Sequence, residues 1–404
     1  MPAAVNVAKR PSLPILRCTY LLACLHAAGS AVAQARPDDS SSAVTAAGHR
    51  SLFRDAEDGH FDMSRWLLDH RGFLPVPIIV TDPAVGNGGG VGLVFFHRQH
   101  VSAEGQGDGA RAFATPDIYG GGYMRTSNGS QAYGMGASLH FDEDRWRYKG
   151  GVAKADFNLG FYTPGRVLPA GKIEYNTDGI VSFQQGFRQL GSHNLYAGLA
   201  WIYMDLDIGF DVASDRDFFQ PHELSTRSSG LGASLQYDNR DNPFTPSSGW
   251  LGMLEGNFYL PGIGSDNAFQ SYRGHAFGYW PLGTRWVLGG RADARWANGD
   301  IPFYRLPYID LRGIGSGRYQ DTRAGVLETE LRWKMTPRWS LIGFLGAGRT
   351  WGRHGSFADS PSQVSKGAGV RYLVARQLGM QVGFDYAWGP EEDPFYVQVG
   401  SAWR

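Results

Sequence analysis

From residue 285 to Arg404 the chain repeats one pattern: stretches of about ten residues whose odd and even positions sort into a polar set and an apolar, aromatic set. Met380, Val382, Phe384, Tyr386 and Trp388 alternate with Gly379, Gln381, Gly383, Asp385 and Ala387. Likewise Trp286, Leu288, Ala292, Ala294 and Trp296 alternate with Arg285, Arg291, Asp293 and Arg295. A period of two belongs to an extended strand with two unlike faces. In a soluble sheet the apolar face must be covered by other protein, and this chain offers neither long helices nor a second, uniformly apolar set of strands. Lipid is the better cover. A closed barrel pairs its backbone groups without water, turns the apolar set outward and the polar set into its lumen, and places aromatics at the two interfaces.

Composition follows from that arrangement. Gly is 56 of 404 residues and aromatics are 13%, yet mean hydropathy is only -0.30. No run approaches the ~20 apolar residues of a spanning helix. A barrel shows its membrane face at every second residue, so low mean hydropathy is expected. The formal charge is +0, and no basic run or phosphate-cradling glycine loop appears, so nucleic acid is not an expected partner.

The N-terminus reads as an address. Lys9, Arg10 and Arg17 precede the apolar stretch from Tyr20 to Leu25, and Ala31, Ala33 and Ala35 offer A-x-A cleavage sites. Residues 1–35 are therefore expected to be a signal peptide, cut after Ala33 or Ala35. The lipoprotein alternative, through Leu21-Leu22-Ala23-Cys24, fits poorly. Both cysteines, Cys18 and Cys24, would leave with the peptide, and no disulfide, cysteine-based metal site or cofactor is expected. Residues 36–75 read as a periplasmic segment, its first half rich in Asp, Ser and Ala. Its second half is a short helix capped by Asp62, running through Trp66, Leu67 and Leu68 and ended by Gly72 and Pro75. The helix is expected to pack against the barrel mouth, or else to dock a partner.

Residues 76–404 are expected to form an all-β, transmembrane antiparallel barrel. Following long and short connections back from the C-terminus places strands at 393–404, 379–388, 365–377, 337–350, 321–335, 284–297, 266–281 and 249–260. Earlier ones fall at 226–238, 195–207, 173–188, 145–158, 130–141, 115–126, 88–97 and 76–82. That makes about 16, with 14 as the alternative, and an even number returns both chain ends to one side. With the last strand running toward the periplasm, 208–225, 298–320 and 351–364 fall outside. The turns at 238–249, 282–284, 335–337 and 376–378 fall on the periplasmic side, as does the long 98–114 connection, which is unusual.

The long outer connection carries Ile309-Asp310-Leu311-Arg312-Gly313-Ile314-Gly315-Ser316-Gly317-Arg318-Tyr319. It resembles the [VIL]-R-G-[FY] loop of the bacterial surface-antigen barrels, the BamA/TamA-like assembly and translocation superfamily. Two further stretches are similar to that family: Tyr237-Asp238-Asn239-Arg240-Asp241-Asn242-Pro243-Phe244 with its continuation to Gly249, and the closing strands 365–404. The opening, Phe61 to Leu68 followed by Gly72 to Pro77, is similar to the subgroup that has the barrel without the N-terminal periplasmic repeats.

The resemblance implies an outer-membrane location and a loop motif, Leu311, Arg312, Gly313 and Ile314, folded into the lumen. In the family the loop arginine meets an acidic residue in an F-x-D-x-G motif. Here that stretch resembles Phe344-Leu345-Gly346-Ala347-Gly348, with Gly346 in the acidic position. The alternation offers substitutes: Glu328 and Glu330 share a face with Val326 and Arg332, opposite Leu327, Leu331 and Trp333. Arg312 is expected to pair with Glu330 first and Glu328 second. Arg285, Arg291, Arg295, Arg371, Glu255 and Asp293 are expected to line a charged interior. His140 beside Asp142, Glu143 and Asp144 reads as a solvated turn rather than a metal site.

A seam is expected between the first and last strands, because Pro75, Pro77 and Pro83 remove ladder donors. Pro77, Val80, Val397 and Val399 are the candidate seam residues, with the weakness on the Val76–Asp82 side alone. In the superfamily client strands are thought to enter there. The expectation is a non-enzymatic outer-membrane barrel that assists insertion of outer-membrane components, with outer-membrane lipid and other outer-membrane or periplasmic proteins as partners. A passive pore and a lipid-modifying enzyme are the alternatives; no Ser and His fall in a recognisable catalytic motif.

Overall fold

The computed structural model describes residues 52–69, 74–82, 84–97, 117–163, 171–191, 194–211 and 223–403. The expected signal peptide, the segment 36–51 and the 98–114 connection lie outside the described residues. One six-residue helix, α1 (Ser64–Asp69), precedes sixteen antiparallel strands in a single sheet, each paired with its neighbours in sequence. The first eight are β1 (Leu74–Asp82), β2 (Gly86–His97), β3 (Asp117–Thr126), β4 (Gln131–Phe141), β5 (Trp146–Thr163), β6 (Gly171–Gln189), β7 (Leu195–Asp211) and β8 (Glu223–Asp238). The rest are β9 (Gly249–Tyr259), β10 (Phe269–Leu282), β11 (Trp286–Gly299), β12 (Arg323–Lys334), β13 (Trp339–Trp351), β14 (Gln363–Ala375), β15 (Met380–Trp388) and β16 (Phe395–Val399). The count is the sixteen that the alternation implied.

Burial follows the pleat. On β12, Val326, Glu328 and Arg332 are buried, whereas Leu327 is 67% and Leu331 39% exposed. One face carries buried charge and the other bare aliphatic surface, the reverse of a soluble protein and the expected sorting of a membrane barrel. At the end where the short turns lie, outward aromatics pair across strands: Trp250 with Trp280, Trp286 with Trp333, and Trp339 with Tyr372, at ring-centroid separations of 4.7, 5.5 and 4.8 Å. Beyond the opposite, loop end, β5 and β6 run on to 18 and 19 residues. Midway along them, Lys154 and Asp178 pair with each other.

β1 pairs with β2 along all nine of its residues, from Leu74↔Val94 to Asp82↔Gly86. The prolines do not weaken this ladder, and parity explains why. The carbonyls of Val76 and Ile78 turn toward Gly92 and Gly89 of β2, so Pro75 and Pro77, one step out of phase, turn their nitrogens toward the open edge. Proline is tolerated on such an edge. β16, expected to run to the C-terminus, is instead five residues long. Gly400 adopts φ +78, and the chain turns into the lumen, where Trp403 is 4% exposed against Phe277, Tyr279 and Val287. β1 and β16 are neighbours, but among the described residues no ladder joins them. The short side of the seam is thus β16, where the weakness was expected at Val76–Asp82.

The helix and the segment before it sit on the turn-end rim. Asp62 caps α1 by accepting Ser64 N–H at 2.7 Å, and Leu67 packs with Val374, Ala375 and Leu378 of the β14–β15 turn. Arg338, 3% exposed, meets Asp55, Asp58 and Asp62 at 2.7, 2.6 and 2.6 Å. Arg376 adds Asp55 at 2.5 Å and Glu57 at 2.8 Å.

Candidate functional site: the lumenal loop lock

Between β11 and β12 the chain leaves the rim and re-enters the barrel. Ile309, Leu311 and Ile314 are buried with Val326 of β12; Ile301 and Leu306 pack with Tyr259, Phe269 and Ala297; Phe303 and Tyr304 lie against Tyr175, Leu206 and Ile208. The loop therefore fills space between opposite parts of the wall. Its motif glycine is required twice over: Gly313 has φ +91, and a Cβ there would stand 2.5 Å from Ser365 Oγ and 3.2 Å from Ala387 Cβ.

Arg312 is 8% exposed. Its Nε donates to Glu328 Oε1 at 2.9 Å and its Nη1 to Asp385 Oδ2 at 2.9 Å. Glu330 Oε2 is also 2.9 Å from Nη1, but that oxygen accepts no hydrogen bond. Both expected acids thus meet Arg312, Glu328 through a hydrogen bond and Glu330 as an ion pair, and Asp385, two strands beyond β13, supplies a carboxylate that was not anticipated. The guanidinium also lies 3.6 Å over the ring of Phe344, and its backbone carbonyl accepts from Ser365 Oγ. Gly346, where the family motif would carry an acid, faces Leu311 instead: a Cβ there would meet Leu311 Cδ2 at 2.7 Å and Glu328 Cγ at 3.2 Å. An apolar loop residue occupies the room that the missing carboxylate leaves.

Around this lock the interior is a network of opposed charges. Asp293 meets Arg273, Arg291 and Arg295 at 2.8, 2.9 and 2.9 Å. Asp310 of the loop meets Arg291 and Arg295 at 3.1 and 2.6 Å, and Arg371 meets Asp385 at 2.6 Å. Arg273, Arg291, Arg295, Arg312 and Arg371 are matched by Asp293, Asp310, Glu328, Glu330 and Asp385. Equal numbers matter because a buried charge is tolerated only when paired. Arg332 is buried against the Pro246 carbonyl instead. Arg285, expected in this interior, lies exposed in the β10–β11 turn, and Glu255 is half-buried opposite Arg273.

The other expected sites separate from the lock. His140 is buried, 3.5 Å from Asp117, while Asp142 and Glu143 are exposed in a turn. No group of three or more metal-ligating side chains occurs among the described residues. Pro77, Val397 and Val399 lie at the seam, the prolines and the β16 valines on the outward face and Val80 on the inward one. The loop reaches this seam as well, since Gly313 N–H donates to Tyr396 Oη of β16 at 2.9 Å.

A sixteen-stranded antiparallel barrel with an apolar exterior, a paired-charge interior and an arginine-locked loop has the build of an outer-membrane β-barrel. Residues 140–403, more than half of the chain, match the Omp85 superfamily domain; the chain belongs to that superfamily. Its fold is similar to BamA from Haemophilus ducreyi lacking POTRA domains 1–3, with TM-score 0.54 and 14% identity over 82% of this chain and 70% of that one. It is also similar to CdiB from Escherichia coli (TM-score 0.54, 13% identity, 80% of this chain and 61% of that). CdiB from Acinetobacter baumannii has TM-score 0.51 and 10% identity over 81% of this chain and 59% of that. The chain thus spans about three fifths of the CdiB chains.

Proposed function

We propose that this protein resides in the bacterial outer membrane and assists the insertion or stabilisation of other outer-membrane components through the seam between β1 and β16, without catalysing a covalent reaction. The observation that carries this reading is the seam itself: two neighbouring edges joined by no ladder among the described residues, one of five residues and the other presenting Pro75 and Pro77 where donors would be. A short edge that forms no ladder with its neighbour is a place where another strand can pair. The turn end, with α1, would face the periplasm and the loop end the exterior, and outer-membrane lipid would cover the apolar belt. The loop and Trp403 packed within the barrel argue against the passive-pore alternative, which needs an open channel.

The test is a disulfide across the seam, between Val80→Cys and a cysteine scanned over Tyr396, Val397 and Gln398, with Cys18 and Cys24 replaced by Ser. If oxidation locks the seam and assembly of outer-membrane components in the producing cell stops until a reductant is added, the reading holds. If assembly is unchanged with the seam locked, it fails.

A further inference from the structure

The segment ahead of α1 carries apolar side chains that its own packing leaves bare. Leu52 is 54% exposed, Phe53 40% and Phe61 50%. They are not loosely held: Phe53 stacks on Phe61 at 6.2 Å and lies 5.8 Å from Trp66, while Arg338 fixes the segment through Asp55, Asp58 and Asp62. A rigid, exposed aromatic cluster marks a surface made to be covered. Its position says by what. Tyr372 Oη donates to the Phe61 carbonyl at 2.7 Å, and Tyr372 is itself paired with Trp339 in the outward aromatic girdle at 4.8 Å. The cluster therefore continues the girdle beyond the last strand residues, at the depth where aromatic side chains sit between headgroups and acyl chains.

We infer that Leu52, Phe53 and Phe61 form an interfacial lipid anchor, inserted into the turn-end leaflet beside the Trp339–Tyr372 pair. The inference rests on the reading of the barrel as a membrane protein. The ion pairs behind the cluster would hold it at a fixed depth, so α1 and the rim of the β14–β15 turn, one strand from the seam, would be tethered to the membrane surface. The surface chemistry is that of a monotopic contact, apolar side chains in the headgroup boundary with charged partners on the protein side.

The test uses the full chain, with Cys18 and Cys24 replaced by Ser, in phosphatidylethanolamine–phosphatidylglycerol vesicles containing spin-labelled lipid. Single cysteines at Leu52, Phe53 or Phe61 carry a fluorophore; Leu327, mid-belt and 67% exposed, and Glu391, in an exposed loop, serve as references. Heat-dependent migration confirms folding of each variant, and the Leu52 position, the most exposed of the three, stands in where a phenylalanine replacement fails to fold. Quenching near the Leu327 level at the cluster is the expected result. Quenching at Leu327 with Glu391-like values at all cluster positions overturns the anchor and leaves the membrane barrel intact. Absence of quenching at Leu327 as well overturns both readings.

Discussion

Trp403 donates its indole Nε1–H to Glu328 Oε2 at 2.7 Å, and the other oxygen of the same carboxylate accepts from Arg312 at 2.9 Å. One buried acid thus joins the end of the chain, just past β16, to the loop that crosses the lumen. Any movement of β16 away from β15 would draw on Trp403, and through Glu328 on the arginine. Trp403→Phe keeps an aromatic body against Phe277 and Tyr279 but removes the donor. A hydrogen bond to a charged group contributes about 1.5–3 kcal/mol, and a loss of that size should be seen in denaturant unfolding of the purified barrel in micelles. An unchanged midpoint would show that the indole contact is incidental.

Arg312→Ala should cost more. It leaves Glu328, Glu330 and Asp385 facing one another with only Arg291 and Arg371 near, and breaking a buried pair from one side costs about 3–5 kcal/mol. The loop should then become cleavable by protease added at the loop end. In double-mutant cycles, Arg312→Ala with Glu328→Gln and with Asp385→Asn should be strongly non-additive, and with Glu330→Gln more nearly additive. The opposite ranking would restore Glu330 as the main partner.

Restoring the family's acid at Gly346 should harm this particular lock. The new Cβ would push on Leu311 and Glu328, and a further carboxylate would join a network whose charges already balance. Overpacking of this kind costs about 1–3 kcal/mol, so Gly346→Asp should lower the unfolding midpoint. Combining it with Leu311→Ala and Asp385→Asn, which return the room and the charge balance, should recover part of the loss; no recovery would mean that Asp385 does not stand in for the missing acid.

Docking of the N-terminal segment should depend on pH at the acid end only. The hydrogen bond from Arg338 holds the Asp58 carboxyl down at about 2. The hydrogen bond from Arg376 lowers Asp55 against the opposing effect of its burial. A carboxyl whose folded value is depressed stabilises the docked form above the unfolded value near ~3.9, and that contribution fades as pH falls toward the folded value. Protection factors for amide exchange over residues 52–69, taken against the intrinsic rate at each pH, should therefore be constant from neutral pH down to about 4 and fall steeply below it. Release between pH 5 and 8 would point to histidine control instead.

The fold was legible because the two faces of the sheet differ in polarity one residue at a time. On β15 each outward position is apolar and each inward one polar or small, so period and lumenal face follow directly. Strand ends were less legible where that contrast fades. β5 and β7 continue past the expected 158 and 207 to Thr163 and Asp211, because beyond the belt their outward faces can be polar and the pattern loses contrast. β16 was read too long since Trp403 fits an outward aromatic, and only Gly400, a residue able to adopt φ +78, hinted at the inward turn. Asp385 was visible on the polar face of β15, yet its meeting with Arg312 spans 73 residues, and no local spacing encodes a contact made across a lumen. Arg285 failed for the opposite reason: alternation continues through a turn in sequence but not in space.

The open edge of β1 leads to the last expectation. Pro75 and Pro77 turn toward the seam, so of the residues facing it in β1 only Ile79 and Thr81 have an N–H to donate. Replacing both prolines by Ala restores two donors without touching the β1–β2 ladder, which uses the alternate residues. Closure onto β16 should then tighten: amides of Tyr396 to Gln398 should exchange more slowly, and the yield of the Val80 disulfide should rise. If the seam is the working edge, this tighter barrel should be more stable and less able to support assembly in the cell, the trade expected when a weak element is kept for function. Slower exchange with full activity would separate the seam from the function. Unchanged exchange would mean that the short β16, and not the prolines of β1, limits closure.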